Sequence, residues 1–197
     1  MKIGIDLDGV VFDSETTFRT YEEIYDMNCL HGNHLINREE PKFQTRYHWT
    51  EEQQQEFVKN YFLKVSQESQ IMSGFLGVYP LLKRQGHEFV VITARGGYLE
   101  EMKEDAIRLL TENHIQFDNY YWKINDKLEI CKKENIDIMI DDDWRIIEDL
   151  AKNHVRTLYF RDTNLKVLEE NEYMKEVNNW GDIYRYLCEQ ENVKAGE

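Results

Sequence analysis

The chain has 197 residues, 41% of them apolar, enough for one domain carrying a sizeable insertion and too apolar for a disordered chain. Its 24 basic against 38 acidic residues give a formal charge of −14 with no basic block, which argues against sequence-independent binding to a nucleic-acid polymer or an anionic membrane. Three scattered cysteines (Cys29, Cys131, Cys188) without CxxC spacing read as reduced thiols; with no signal-like segment and no long apolar span, the expected setting is the cytoplasm.

The opening run of Ile3, Gly4, Ile5 and Leu7 reads as a buried strand broken at Gly9. It carries Asp6 and Asp8 two residues apart, so both carboxylates point the same way if the strand continues. Like charges held that close repel unless a cation or a shared proton offsets them, although Asp8-Gly9 is also ordinary turn chemistry.

Residues 14–73 follow, with no convincing strand and many aromatic residues. Within them 51–67 reads as a helix with Phe57, Tyr61 and Val65 on one stripe, and Thr50 with Gln53 forms a capping box at its start. This segment is expected to be a small helical subdomain inserted after the first strand. Its aromatic rings are most simply its own core, and the sharper alternative is a ligand pocket, with Phe43, Tyr47 and Trp49 in the irregular stretch as its candidates.

Beyond it, apolar runs at 87–95, 119–122, 136–140 and 155–160 read as strands. Helical patterns at 74–86, 96–114, 125–135 and 143–154 alternate with them. A last amphipathic helix over 178–190 packs through Trp180, Ile183, Tyr184 and Leu187. The alternation predicts an α/β fold, a three-layer Rossmann-like core with a parallel sheet, built from 1–13 and 74–197, and a small helical cap at 14–73.

In an open parallel sheet, ligands bind beyond the carboxyl ends of the strands. At those ends stand Asp6 and Asp8, then Thr93-Ala94-Arg95, where a hydroxyl and backbone N–H groups opening a helix suit a phosphate oxygen, and finally Asp141-Asp142-Asp143. Lys127 opens a helix just before the last of these strands. Each residue has a plainer role when taken alone. Thr93 and Asp143 are good helix N-caps, and Lys127 could be a surface lysine. Hard oxygen ligands from two strand ends nevertheless suit Mg²⁺, which also relieves the repulsion of clustered carboxylates.

In this order, DLDGVVFD, VVITAR, a lysine and IMIDDD resemble the four motifs of the haloacid-dehalogenase-like phosphohydrolases. Chain length, insertion position and DLDGVVFD are most similar to the 5'(3')-deoxyribonucleotidase branch, though that branch usually has Thr-Ser where this chain has Thr93-Ala94. The resemblance implies a phosphomonoesterase acting on a small phosphorylated substrate, of which a nucleotide is the expected example. It makes Asp6 the nucleophile, Asp8 the general acid and base, and Thr93, Ala94, Arg95 and Lys127 the phosphate binders. Mg²⁺ would sit on Asp6, the main-chain carbonyl of Asp8, and Asp142, with Asp141 assisting the metal or holding Lys127. Two rivals are a receiver-like phosphate-binding module, whose acidic pair precedes its Thr and Lys, and an idle binder on the same fold, which would not need Asp8.

Overall fold

The computed structural model describes residues 1–195. Strand alternation sorts the apolar side chains onto two faces. Ile3, Ile5, Phe89, Val91, Ile140, Leu158 and Phe160 enter one core, while Val90, Ile92 and Met139 enter another. Those strands are β1 (Lys2–Ile5), β2 (Glu88–Ile92), β3 (Asn119–Tyr121), β4 (Ile138–Asp141) and β5 (Thr157–Phe160), joined by β6 (Met174–Val177). Among the described residues they form one all-parallel sheet in the order β3-β2-β1-β4-β5-β6. Ile3 pairs with Phe89 on one side and Ile138 on the other, so β1 is central and its end faces the crevice where the strand order reverses.

Helices cover both faces. Those flanking the sheet are α4 (Phe75–Arg84), α5 (Glu100–Glu112), α6 (Leu128–Glu134), α7 (Trp144–Lys152) and α8 (Trp180–Ala195). The first core takes Phe75 and Leu82 of α4, Ala106 and Leu110 of α5, and Trp180, Ile183 and Leu187 of α8. The second takes Cys131 of α6 and Leu150 of α7. No helix among the described residues is long and apolar enough to cross a membrane.

Two boundaries differ from the sequence reading. β6 has only Met174 and Val177 as buried apolar residues, too weak a pattern to stand out. The helix expected from 96 starts at Glu100, because Gly96 takes φ +85° and Leu99 is extended, leaving 93–99 as a loop.

Residues 14–73 hold α1 (Ser14–Cys29), α2 (Phe43–Arg46) and α3 (Glu51–Glu68), the last started by the Thr50–Gln53 capping box. Chain entry and exit lie side by side. Asp13 N–H donates to Gln70 O at 2.9 Å, and Met72 N–H to Val11 O at 2.7 Å. The loop after β1 is fixed from the far end of the chain as well: the buried Trp180 donates its indole N–H to Val10 O at 3.0 Å.

Candidate active site

β1 delivers Asp6 to the switch point, where its main-chain N–H is held by Ile140 O at 3.0 Å. Gly9 then turns the loop with φ +69°, and a Cβ there would lie 2.1 Å from Asp142 Oδ2. Only glycine lets the loops after β1 and β4 approach this closely. Asp6, Asp141 and Asp142 each place a carboxylate oxygen in one group whose members lie within 4.8 Å of one another.

Lys127, just ahead of α6, is buried between two of these aspartates, with Nζ 2.9 Å from Asp6 Oδ2 and 2.6 Å from Asp141 Oδ2. Burial alone would lower its pKa, but the Asp141 and Asp6 charges outweigh that and hold it above the ordinary lysine value, so it stays an ammonium. The other oxygen of Asp141 accepts the Asp143 N–H at 3.0 Å. Both oxygens of Asp141 are therefore engaged, one by Lys127 and one by the Asp143 N–H, while it still contributes to the carboxylate group.

Asp142 differs. Burial, and then repulsion from Glu15, Asp141, Asp6 and Asp143, drive its pKa well above the usual carboxylate range. An oxygen-rich group with surplus negative charge and one strongly repelled carboxylate is the donor chemistry of a hard divalent cation, and the residues fit Mg²⁺. Asp143, which also borders the cavity, caps α7, accepting the Arg145 N–H at 3.0 Å.

Asp8 stands apart from that group. Its Oδ1 accepts from Ser14 Oγ at 2.7 Å and from the Arg95 guanidinium at 2.8 Å. Thr93 Oγ1 accepts the Arg95 N–H at 3.2 Å, so the threonine shapes the loop after β2. Because this stretch is a loop, Thr93-Ala94-Arg95 does not present a helix N-terminus, as its sequence suggested. The Arg95 side chain is committed to other protein groups, although the residue lines the cavity.

Asp6, Asp8, Thr93, Ala94, Arg95, Lys127 and Asp142 all border one cavity of ≈ 190 Å³. Opposite them lie Glu15, Phe18 and Glu22 of α1, Phe43 and Gln44 of α2, and Phe62 of α3, with Tyr98 beside them. Of the three ring residues singled out in sequence, only Phe43 borders it. Tyr47 and Trp49 correct that expectation. They stack on each other at 4.5 Å within the aromatic core formed with Tyr25 and Phe57, and the Trp49 indole N–H donates to Asp26 at 2.9 Å. Packing there satisfies both their apolar area and the indole N–H.

Phe62 was not singled out, although its place one position off the Phe57, Tyr61, Val65 stripe is a signal that could have found it. Phe18, Glu15 and Glu22 carried no comparable signal. Neither did Asn164, a buried loop residue after β5 that donates to Asp142 O at 2.9 Å and accepts from Arg19 at 3.2 Å. Arg46 is buried between Glu15, at 2.7 Å, and Glu22, which ties α2 to α1 behind the cavity wall.

No protein-family model matches the chain, and no curated protein matches it. Solved structures do. The chain is similar to a haloacid dehalogenase-like family hydrolase from Streptococcus pneumoniae, with TM-score 0.69 and 15% identity over 94% of this chain and 97% of that one. It is also similar to a predicted phosphatase from Clostridium acetobutylicum, with TM-score 0.66 and 18% identity over 95% and 98%. A predicted phosphoglycolate phosphatase from Haemophilus somnus gives TM-score 0.59 and 13% identity over 94% and 96%. The chain has the fold of the haloacid dehalogenase-like hydrolases. At these identities the likeness concerns the fold, over nearly the whole length of each protein.

Proposed function

We propose that the protein is a Mg²⁺-dependent phosphomonoesterase that works through an aspartyl-phosphate on Asp6, with a nucleotide as its substrate. The observation that carries this reading is the Lys127 ammonium bridging Asp6 and Asp141 at the wall of a cavity that Asp8 also borders. A binding module has no use for a second carboxylate held two residues from the first.

Asp6 attacks phosphorus through a carboxylate oxygen, and the ester P–O bond breaks as the acyl-phosphate bond forms. Asp8 gives its proton to the departing oxygen, then takes one from the water that hydrolyses the acyl phosphate, which returns both residues to their starting state. Lys127 offsets negative charge on the transferring group, and Thr93 stabilises the loop on which that group rests. Asp6, Asp142 and the main-chain carbonyl of Asp8 would hold the Mg²⁺, which when bound would supply positive charge to offset the phosphate and these carboxylates.

Residues 14–73 act as the cap in this reading, and the nucleotide preference rests on the cavity's outer wall. Phe18, Phe43, Phe62 and Tyr98 offer ring faces and edges to a planar group, while Gln44 and Asn125 offer amides for hydrogen bonding. The test is a phosphate-release panel of nucleotides, sugar phosphates and other small phosphomonoesters, run with Mg²⁺ and with EDTA. Mg²⁺-dependent release, highest on a nucleotide and absent in Asp6→Asn, is the expected result. Release retained in EDTA would overturn the metal assignment, and a preference for sugar phosphates would overturn the nucleotide one. Asp142→Ala should raise the Mg²⁺ requirement more than Asp143→Ala, because Asp143 is occupied as the cap of α7.

A further inference from the structure

The Arg95 side chain is taken up by contacts that phosphate binding does not explain. It is 1% exposed. Nε donates to Met102 O at 3.0 Å, one terminal nitrogen to Ser66 Oγ at 2.8 Å, and the other to Asp8 Oδ1 at 2.8 Å. The guanidinium carbon lies 5.0 Å from the centroid of the Phe12 ring. A guanidinium fixed on four sides cannot swing into the cavity to take a phosphate oxygen without giving up those partners, which are themselves buried or partly buried.

The geometry points to Arg95 as a positioning residue for Asp8, acting with Ser14 and Ser66. This assignment rests on the phosphomonoesterase reading, and it deepens it by replacing the phosphate-binding role that the sequence suggested for Arg95. Ser14 and Arg95 both donate to the same oxygen of Asp8, so they fix the rotation of the carboxylate and leave Oδ2 as the oxygen that exchanges the proton. Ser14 opens α1, and Ser66 lies near the end of α3. The acid–base carboxylate is thus oriented by both long helices of the 14–73 segment, one directly and one through Arg95. A change in how that segment sits would be felt first at Asp8.

A phosphate binder and an Asp8 positioner make different predictions, because kcat/KM reports only the steps up to departure of the leaving group. A nitrophenolate leaves without a proton, whereas an alkoxide needs one from Asp8. Arg95→Met should lower kcat/KM for the best alkyl phosphate of the panel by roughly 10- to 100-fold, within the range for impaired general acid catalysis, and change that for p-nitrophenyl phosphate by less than about threefold. Competitive inhibition by inorganic phosphate should be unchanged within about twofold, and in an Asp8→Asn background Arg95→Met should add no further loss. Should Arg95→Met fail to fold, as judged by its melting curve, Ser66→Ala carries the test. It removes one acceptor of the guanidinium, and it should reproduce the same alkyl-selective loss at a few-fold magnitude. Equal losses on both substrates, or weakened phosphate inhibition, would overturn the assignment while leaving the phosphatase reading intact. A wild-type protein that releases no phosphate from any substrate would overturn both.

Discussion

The two walls of the cavity are built differently. The wall at the strand ends is charged and is held by main-chain ties and buried ion pairs: Asp6 by Ile140, Lys127 by Asp6 and Asp141, and Asp142 against Gly9. The opposite wall stands on helices and is mainly aromatic, with Glu15 and Glu22 also on it. Its rings Phe18, Phe43 and Phe62 meet neighbouring rings edge to face or tilted, such as Phe18–Phe62 at 5.1 Å and Phe43–Phe57 at 5.3 Å. Rings in such a cluster can exchange neighbours at modest cost, whereas a carboxylate moved by an ångström loses its partner. The first wall is suited to an invariant chemical step, and the second to a choice among substrates.

The sharpest way to break this contrast is at the nucleophile. Asp6→Asn should abolish phosphate release while the melting temperature stays close to that of wild type, and residual turnover above background would rule out the covalent route. Gly9→Ala comes next. It forces a positive-φ alanine against Asp142, and a displacement of about 1 Å there should cost on the order of 10²-fold in kcat. If Gly9→Ala were fully active, the close approach of the two loops would have no role in the reaction.

On the aromatic wall the expected effects separate. Trp49→Ala should destabilise the fold by about 3–5 kcal/mol, the usual range for a buried large-to-small change. Chemical denaturation would read this, with p-nitrophenyl phosphate turnover by the folded fraction little changed. The Phe62 ring is buried to the same degree but borders the cavity. Phe62→Ala should destabilise the fold as well and, unlike Trp49→Ala, also raise KM for the preferred substrate a few-fold, consistent with losing one ring contact worth about 0.5–1.5 kcal/mol. If both variants behave alike, rings in the core and rings at the cavity cannot be told apart by position.

A pH-dependent effect concerns Glu22. Burial pushes its carboxyl up to about 7, against the pull of Arg46. The folded state then holds a proton that the unfolded state releases, so stability falls as pH rises from the ordinary glutamate value towards about 7 and levels off above it. Melting temperature measured over that window should fall more steeply in wild type than in Glu22→Gln, in which Glu15, Asp141 and Asp142 still contribute a decline of the same sign.

The contrast between the walls also explains what could be read from the sequence. Asp6, Asp8 and Asp142 could be placed because each follows an apolar run, where chain direction alone decides the location, and Lys127 because it opens a helix just before the last of those strands. Thr93-Ala94-Arg95 could be placed by its apolar run too, but not oriented: Gly96 delays the next helix, and Arg95 finds partners on α5 and, 29 residues back, on α3. Tyr47 and Trp49 were open to two readings because an irregular stretch leaves ring direction undetermined, and the tertiary neighbours Tyr25 and Asp26 decide it. Asn164 and β6 lacked any pattern, being fixed by contacts with Asp142 and β5 rather than by their own composition.

The indole of Trp180 on Val10 has a consequence for the order of biosynthesis. A chain made from its N-terminus exposes the Asp6–Asp8 loop early, but the residue that anchors that loop is added 170 positions later. Throughout that interval the carboxylates that would otherwise pair with Lys127 and share a cation are tethered to an unfinished sheet. On the phosphomonoesterase reading, a ribosome-bound intermediate stopped before residue 180 should turn over no phosphate, because the anchor of its first loop has not yet been made.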